Sequence, residues 1–371
     1  MRPVRPIHLL LVPAALLLAS CDDASLPQEP SAEPDGAAIE TPVAFAGTTR
    51  WAAGYLHAGA PTSASYAPVP YLSYNAADGP MNVTKRAGTT GRYIVTFSGL
   101  SAVLGGKNTV HVTEYGLADT YCKPANGRLV NDKLEVRCFK ASTRAPANAA
   151  FTVVVLGRAS SAAFAYAHQP TSTNYAPAAE ASFNPSGAIR IYRTGVGEYE
   201  VVFAGLAAAV TPTLHGHVQV NAVGTGKAHC VGEDWGPAGS PNVRVFVRCY
   251  SPAGTPVDSK FGLLFQVLSD RVAYAYADQP TATSYSPMPQ RAWNPVSGPV
   301  TITRTGVGDY TVVWEGVDPY ILDGGTVHVT AAALDNTQCK ATSLFGNGVV
   351  VHCFAPNGAP RDAEFTVLLD S

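Results

Sequence analysis

Cysteine is the residue type whose number and spacing in this sequence most directly suggest chemistry. The chain has seven cysteines, and six of them form three successive pairs with separations of 16, 19 and 14 residues. Two thiols at such a spacing can form a disulfide or contribute to a metal site. The pairs are Cys122 and Cys138, Cys230 and Cys249, and Cys339 and Cys353.

The residues around these pairs favour disulfides over metal binding. His229 and His352 each lie beside a cysteine, which would suit a metal ion, but the chain contains no C-x-x-C motif. Neighbouring residues of a strand also point to opposite faces of the sheet, which separates the imidazole from the thiol. We predict three disulfides, each worth about 3 kcal/mol of stability, and no metal ion.

A second group with metal-binding potential is the segment His215-Gly216-His217. On a strand, its two imidazoles would share one face. The segment has no equivalent elsewhere in the chain and no acidic or cysteine residue close by. We interpret it as a solvated junction between a loop and a strand.

Aromatic residues near the cysteines are the candidates for ligand contact. A cationic or polar residue and an aromatic residue flank the second cysteine of each pair: Arg137 and Phe139, Arg248 and Tyr250, and His352 and Phe354. Such groups could stack on a ligand, but we favour cross-strand packing on a half-exposed sheet. Trp235, between the cysteines of the second pair, is the candidate for an exposed aromatic residue that contacts a sugar or a protein.

The sequence carries no recognised catalytic motif. It has no G-x-S-x-G, no H-E-x-x-H, no P-loop and no calcium-loop series of acidic residues. We therefore predict no catalytic residue and no cofactor. Only 14% of the residues are charged, the formal net charge is −2, and no basic block occurs, which argues against nucleic-acid binding.

The cysteine pairs belong to a sequence that repeats three times with a period near 110 residues. Equivalent markers are Pro61-Thr62, Pro170-Thr171 and Pro280-Thr281. The period suits a domain of the β-sandwich size. In each copy about seven runs alternate apolar and polar residues, and Gly-rich turns separate them. We predict an all-β chain of three tandem antiparallel β-sandwich domains, at residues 51–158, 159–268 and 271–371.

The last strand of each copy indicates how the copies meet. These strands, near Phe151, Phe261 and Phe365, are apolar on both faces. A strand of that kind is usually covered on both sides. We therefore expect neighbouring copies to pack against one another.

The first residues of the chain resemble a bacterial lipoprotein signal. Arg2 and Arg5 precede a short apolar run, which ends in Leu18-Ala19-Ser20-Cys21. The run is too short to span a bilayer. The resemblance implies a signal peptide at residues 1–20 and a lipidated Cys21, which would anchor the protein in the bacterial cell envelope, facing the periplasm or the outside. Residues 21–48 read as a flexible, acidic, Pro/Ala-rich tether.

The repeats are similar to tandem immunoglobulin-like modules of exported proteins from soil bacteria. The likeness rests on A-Y-A-x-Q-P-T, on G-x-Y-x-V-x-F-x-G-L and on the paired cysteines. Such modules have no assigned activity, so the resemblance implies fold and export only.

These features lead to a functional hypothesis. We expect a lipid-anchored envelope protein whose repeats form a non-catalytic binding or structural stalk module, with a protein or a cell-wall or extracellular glycan as partner. The alternative is an envelope hydrolase or metal-dependent enzyme of unrecognised type.

Overall fold

A computed structural model of the chain describes residues 53–158, 161–209, 216–237, 241–267, 269–317 and 325–370. In these residues the protein is all-β, as predicted, and its one α-helix, α1 (Leu100–Val103), has four residues. The predicted signal peptide, Cys21 and the tether lie outside them. None of the described helices is long and apolar enough to cross a membrane.

The first sequence repeat contains nine strands, two more than the seven or so expected, because very short pairings add β2 and β3. The strands are β1 (Gly54–Ala58), β2 (Ser65–Tyr66), β3 (Ser73–Asn75), β4 (Met81–Lys85), β5 (Arg92–Phe97), β6 (Thr109–Tyr115), β7 (Thr120–Pro124), β8 (Lys133–Lys140) and β9 (Ala150–Leu156).

The second repeat contains eight described strands in the same order. These are β10 (Ala162–Ala167), β11 (Asn174–Tyr175), β12 (Ile189–Gly195), β13 (Glu198–Phe203), β14 (His217–Ala222), β15 (His229–Pro237), β16 (Val243–Tyr250) and β17 (Phe261–Gln266).

The third repeat again contains nine described strands. These are β18 (Val272–Ala277), β19 (Ser284–Tyr285), β20 (Ala292–Trp293), β21 (Val300–Gly306), β22 (Asp309–Trp314), β23 (Thr326–Ala331), β24 (Gln338–Phe345), β25 (Gly348–Phe354) and β26 (Phe365–Asp370). Short 3-10 turns lie at Pro70–Leu72, Ala179–Ala181, Leu206–Ala209 and Pro289–Arg291.

The strands of each repeat are divided between an outer and an inner sheet. The outer sheets have the orders β2-β4-β5-β8-β7, β11-β12-β13-β16-β15 and β19-β21-β22-β25-β24. The inner sheets have the orders β3-β1-β9-β6, β10-β17-β14 and β20-β18-β26-β23. One parallel bridge, between Ala341 and Tyr115, joins the outer sheet of the third repeat to the inner sheet of the first. None of the sheets closes on itself.

Alternation of residue type places one face of each outer sheet in a hydrophobic cluster. Tyr199, Val201 and Phe203 share a face of β13 and are buried against the inner sheet of the same repeat. The run Val243, Val245, Val247 and Cys249 on β16 is also buried, as its period of two predicts. The other two repeats have corresponding clusters.

The long hairpin of each outer sheet is fixed by a glycine and by one side-chain acceptor, which is a carboxylate in the second and third repeats and Asn148 in the first. Gly197 has φ 72°, and a Cβ there would lie 2.6 Å from the Cys249 carbonyl oxygen, so only glycine fits. Its N–H donates to Asp258 at 2.9 Å, and Arg193 donates two bonds to the same carboxylate at 2.8 and 2.9 Å. Asp258 therefore fixes the turn of this hairpin.

The second face of the inner sheets belongs to a cluster that all three repeats share. Val154 and Leu156 of the first repeat, Phe164 and Leu264 of the second, and Tyr274 and Leu368 of the third are among its members. The expectation that the copies pack against one another is therefore confirmed. Residues Ala46–Ser371 form one compact unit, and the repeats do not follow one another as separate beads.

Candidate functional site

The three repeats are joined in a ring by hydrogen bonds between strands β6, β14 and β23. Each strand offers a backbone N–H to the side chain of an equivalent residue in another repeat. The three bonds are Val112 N to Asn221 Oδ1 (2.7 Å), Val220 N to Thr330 Oγ1 (3.1 Å) and Val329 N to Thr113 Oγ1 (3.1 Å). We call Thr113, Asn221 and Thr330 the axial layer.

A second set of bonds reinforces this layer at two of the three places where it could form. Thr152 Oγ1 donates to the Val327 carbonyl at 2.8 Å, and Thr366 Oγ1 donates to the Val218 carbonyl at 2.8 Å. Gly262 occupies the equivalent position in the second repeat, where no hydroxyl is available. Its ideal Cβ would lie 3.9 Å from the Val110 carbonyl oxygen and in ordinary contact with its other neighbours.

Histidine and glutamine side chains continue the polar interior beside the axial layer. Gln219 receives a bond from Thr330 Oγ1 at 2.6 Å and lies 2.7 Å from His217 Nε2. At the equivalent position of the first repeat, both ring nitrogens of His111 lack a hydrogen-bond partner among the described residues. Burial lowers the pKa of His111 to about 3, so the ring is neutral at physiological pH.

Next to the axial layer lies a cavity of about 70 Å³, which can hold a few water molecules or one small ion. Equivalent positions of all three repeats line this axial cavity. They are the axial layer itself, the first cysteine of each pair (Cys122, Cys230, Cys339), the residue before it (Tyr121, His229, Gln338) and the residue after it (Lys123, Val231, Lys340).

Disulfides hold the walls of the axial cavity, and the predicted pairing is confirmed. Cys122–Cys138, Cys230–Cys249 and Cys339–Cys353 each join directly opposed residues of two neighbouring outer-sheet strands. The second cysteine of each pair faces the hydrophobic cluster of its own repeat. Three intramolecular disulfides are typical of proteins that fold in an oxidising, extracytoplasmic compartment.

The contact between the third and first repeats, here the closing interface, contains a buried ion pair. Lys340 Nζ lies 2.7 Å from Glu114 Oε2, and the two side chains are 2% and 3% exposed. The same ammonium donates to the Ala118 carbonyl, and Thr120 Oγ1 donates to Glu114 at 2.6 Å. Burial raises the pKa of Glu114 to about 7 although Lys340 opposes the shift, so desolvation outweighs the attraction of the pair.

The contact between the first and second repeats, the first interface, has a lysine at the same position without a carboxylate partner. Lys123 is buried, and its Nζ donates to the Ala228 carbonyl at 2.8 Å. No carboxylate of the described residues lies within ion-pair distance of this ammonium, and Ala222 stands where the closing interface has Glu114. Burial and then the charge of Arg137 lower the pKa of Lys123 to about 7.

The contact between the second and third repeats, the second interface, is apolar at these positions. Val231 takes the place of the lysine, and Ala331 takes the place of Glu114. Both are buried in one small cluster with Tyr250. Three equivalent contacts around the cavity thus use an ion pair, a lone lysine and an apolar pair.

His229 adds a neutral polar ring to the cavity wall. It is 7% exposed, it stacks on Tyr250 with ring centroids 5.8 Å apart, and neither ring nitrogen has a partner among the described residues. Burial, followed by the nearby charge of Lys123, lowers the pKa of His229 to about 3. At neutral pH the ring therefore offers one N–H donor and one acceptor.

Nothing in the described part of the chain resembles a metal centre. No three His, Cys, Asp or Glu side chains there come close enough together to hold an ion. His215 lies outside the described residues. Its neighbour His217 is buried in β14, so the interpretation of this segment as solvated is wrong for His217.

The expectation that Trp235 is exposed is also wrong. The side chain is 3% exposed, and its Nε1 donates to the Gly216 carbonyl at 3.0 Å. The third repeat covers it, since the Arg291 guanidinium lies 4.3 Å from the ring centroid and Tyr276 contacts its edge. Trp235 therefore fills the second interface instead of facing solvent.

The predicted ligand-stacking patch is likewise covered by protein. Phe139, Tyr250 and Phe354 are all buried, because each lies where two repeats meet. Their cationic or polar neighbours contact carboxylates: Arg137 contacts Glu135 at 2.8 Å, Arg248 contacts Glu233 at 2.7 Å, and His352 Nδ1 lies 2.6 Å from Asp309. Packing, the interpretation favoured from the sequence, describes the aromatic residues, although they pack between repeats and not on a half-exposed sheet.

Sequence reasoning missed the charged residues of the cavity. Lys123 and Lys340 follow the first cysteine in two repeats, and Val231 follows it in the other. A column-by-column comparison of the three copies would have found this difference. Glu114 could have been noticed as the acid that only one of the three equivalent strands carries.

No protein-family model, no curated protein and no solved structure matches the chain.

Proposed function

We propose that this chain is a lipid-anchored cell-envelope protein with three β-sandwich repeats of the immunoglobulin-like kind, and that it is a non-catalytic binding module. Cys21 carries the lipid, the acidic segment after it is the tether, and the partner is a protein or a cell-wall glycan. The observation that carries the proposal is the closure of three repeats into one unit with equivalent loops around a single cavity.

The loops that follow β6, β14 and β23 form the proposed contact surface. They comprise residues 116–119, 223–228 and 332–337, and strand residues that flank each loop, among them Thr120, His229 and Ala331, line the axial cavity. Leu117 and Leu334 are equivalent residues of two of these loops and are 76% and 66% exposed. They are exposed apolar residues at equivalent positions of the proposed surface, so these leucines are the first candidates for binding the partner.

The anchor is tested by cell fractionation and by labelling with a radioactive fatty acid. The wild-type protein is expected in the membrane fraction with the label attached. Cys21→Ala is expected to lose the label and leave the membrane fraction. A label retained by Cys21→Ala would contradict the assignment.

The binding role is tested by co-sedimentation of the purified protein with isolated envelope material. The double variant Leu117→Ser/Leu334→Ser is expected to lose most of the co-sedimentation. Val103→Ser changes an exposed apolar residue outside these loops and is expected to co-sediment like the wild type. Turnover of a hydrolase substrate panel, or equal co-sedimentation of all variants, would contradict the proposal.

A further inference from the structure

The charges around the axial cavity do not balance. Lys340 is neutralised by Glu114 at 2.7 Å. Two further acidic residues near the cavity are also paired, Asp335 with Arg361 at 2.5 Å and Asp119 with Lys140 at 3.4 Å. Lys123 has only the Ala228 carbonyl, so its protonated form leaves one uncompensated positive charge in the cavity wall.

Hydrogen-bond donors accompany this charge. An ammonium has three N–H groups, and Lys123 uses one of them on Ala228. His229 follows Ala228 in the chain, lines the same cavity, and has no partner for either ring nitrogen among the described residues. A buried cation and an unused donor are the groups that a small anion would satisfy.

We propose that the axial cavity binds one small monovalent anion, of the halide or carboxylate class, through the Lys123 ammonium and the N–H of the His229 ring. One negative charge balances the one unpaired lysine. The cavity volume of about 70 Å³ suits an ion of the size of chloride or acetate and excludes larger anions. The inference deepens the binding role proposed above and does not depend on the lipid anchor.

The second interface supports the assignment of Lys123 to a ligand. Val231 occupies the same position there, packs against Ala331, and needs no charge. The ring of repeats therefore closes without a lysine at this position. A lysine retained without a carboxylate partner at the first interface is explained by an ion that the protein binds.

The test is chloride NMR on the full chain, in which a bound ion broadens the ³⁵Cl resonance. Wild-type protein is expected to give excess line width that saturates as chloride is added and that acetate, but not gluconate, removes. Lys123→Val, which copies the second interface, is expected to lose the saturable broadening. Lys260→Met, which removes an exposed lysine, is expected to keep it.

A second variant guards against a folding artefact. His229→Phe keeps a ring of similar size and removes the N–H, so chloride affinity is expected to fall about tenfold, as for the loss of one charged hydrogen bond. Near-ultraviolet circular dichroism checks that each variant retains its packing. Absence of saturable broadening in the wild type, or its persistence in Lys123→Val, would overturn the proposal, and broadening that acetate cannot reduce would overturn its carboxylate part. None of these results would alter the fractionation and co-sedimentation tests, so the two proposals fail separately.

Discussion

The axial layer and the wall of the axial cavity lie side by side. Equivalent positions have the same role in all three repeats in the axial layer, but different roles in the cavity wall. In the axial layer, Thr113, Asn221 and Thr330 do the same work, because each accepts a backbone N–H from another repeat. In the cavity wall, the equivalent positions carry Lys123, Val231 and Lys340. Edge strands must have their backbone groups satisfied wherever they are buried, so the first region must supply a side-chain acceptor in every repeat. The second region is free to differ.

The largest expected effect comes from breaking the ion pair of the closing interface. Lys340→Met leaves Glu114 buried without its counter-charge, so we expect a loss of about 3–5 kcal/mol in the free energy of unfolding. Urea denaturation followed by circular dichroism measures it. A loss below about 1 kcal/mol would contradict the view that this pair is buried and coupled.

The closing interface should also be stable with the apolar residues that the second interface has at the equivalent positions. Glu114→Ala combined with Lys340→Val copies Ala331 and Val231, and it removes both desolvated charges together. We expect the double variant to recover most of the stability lost by the single variant, since buried ion pairs are often replaceable by apolar residues. If the double variant is as unstable as Lys340→Met, the three contacts are not interchangeable.

A smaller loss is expected in the axial layer. Thr330→Val leaves the Val220 N–H and the Gln219 side-chain oxygen without their partner, which should cost about 1–3 kcal/mol. Thr84→Val, at an exposed position of an outer-sheet strand, is the control and should change stability by less than about 0.5 kcal/mol. If the two substitutions lower the free energy of unfolding equally in urea denaturation, the hydrogen bonds of the axial layer contribute no more to stability than an exposed threonine does.

The hairpin carboxylate offers a comparison of the first repeat with the second. Asp258→Asn copies Asn148, which accepts the Gly91 N–H at 2.9 Å, and removes the ion pair with Arg193. We expect a loss of about 1 kcal/mol near pH 7 for this partly exposed pair. The bonds from Arg193 and the Gly197 N–H lower the pKa of Asp258, so its contribution is present above the unfolded pKa of about 3.9 and disappears as the pH falls through the folded value.

The control for that experiment is the opposite exchange. Asn148→Asp adds a carboxylate where no bidentate arginine of the described residues faces it, and it should not stabilise the protein at pH 7. Unfolding free energies from pH 2 to pH 7 test both variants. A difference between wild type and Asp258→Asn that stays constant down to pH 2 would contradict the role of the charge.

The smallest expected effect is a gain. Gly262→Thr supplies the hydroxyl that Thr152 and Thr366 provide in the other repeats, in space that accepts a Cβ. We expect stabilisation of about 0.5–1 kcal/mol from the added bond to the Val110 carbonyl and the reduced chain entropy of the unfolded state. Gly262→Ala is the matched control, because it reduces the chain entropy of the unfolded state without adding a hydroxyl. If the Thr variant is no more stable than the Ala variant, the added hydroxyl does not form a stabilising bond to the Val110 carbonyl.

Much of the fold could be predicted because the alternation of residue types within a strand indicates which of its faces is buried. A period of two identified the buried faces of β13 and β16. The disulfide pairs followed from the recurrence of two cysteines in every repeat. The doubly apolar strands near Phe151, Phe261 and Phe365 further indicated that the repeats touch.

The site could not be predicted from the same signals. Alternation tells which face a side chain occupies, but it does not tell what covers that face. Phe139 lies on a face that looks outward in a single repeat, and a second repeat packs over it. Trp235 lies after a bulge in β15, which places it beside Val245 on the core face of its own repeat. Lys123, Glu114 and Lys340 are charged residues, which are rarely fully buried, so their place in the interior depends on contacts between residues more than 100 positions apart.

The cluster that the inner sheets share has a consequence for the origin of this chain. A polypeptide with one repeat would expose the apolar second face of its inner sheet and could cover it only by gathering three copies around a threefold axis. Fusing the copies makes that assembly intramolecular, so it no longer depends on protein concentration. Each repeat of such a chain is encoded separately, so one of the three can carry a glutamate or a glycine that the others do not share.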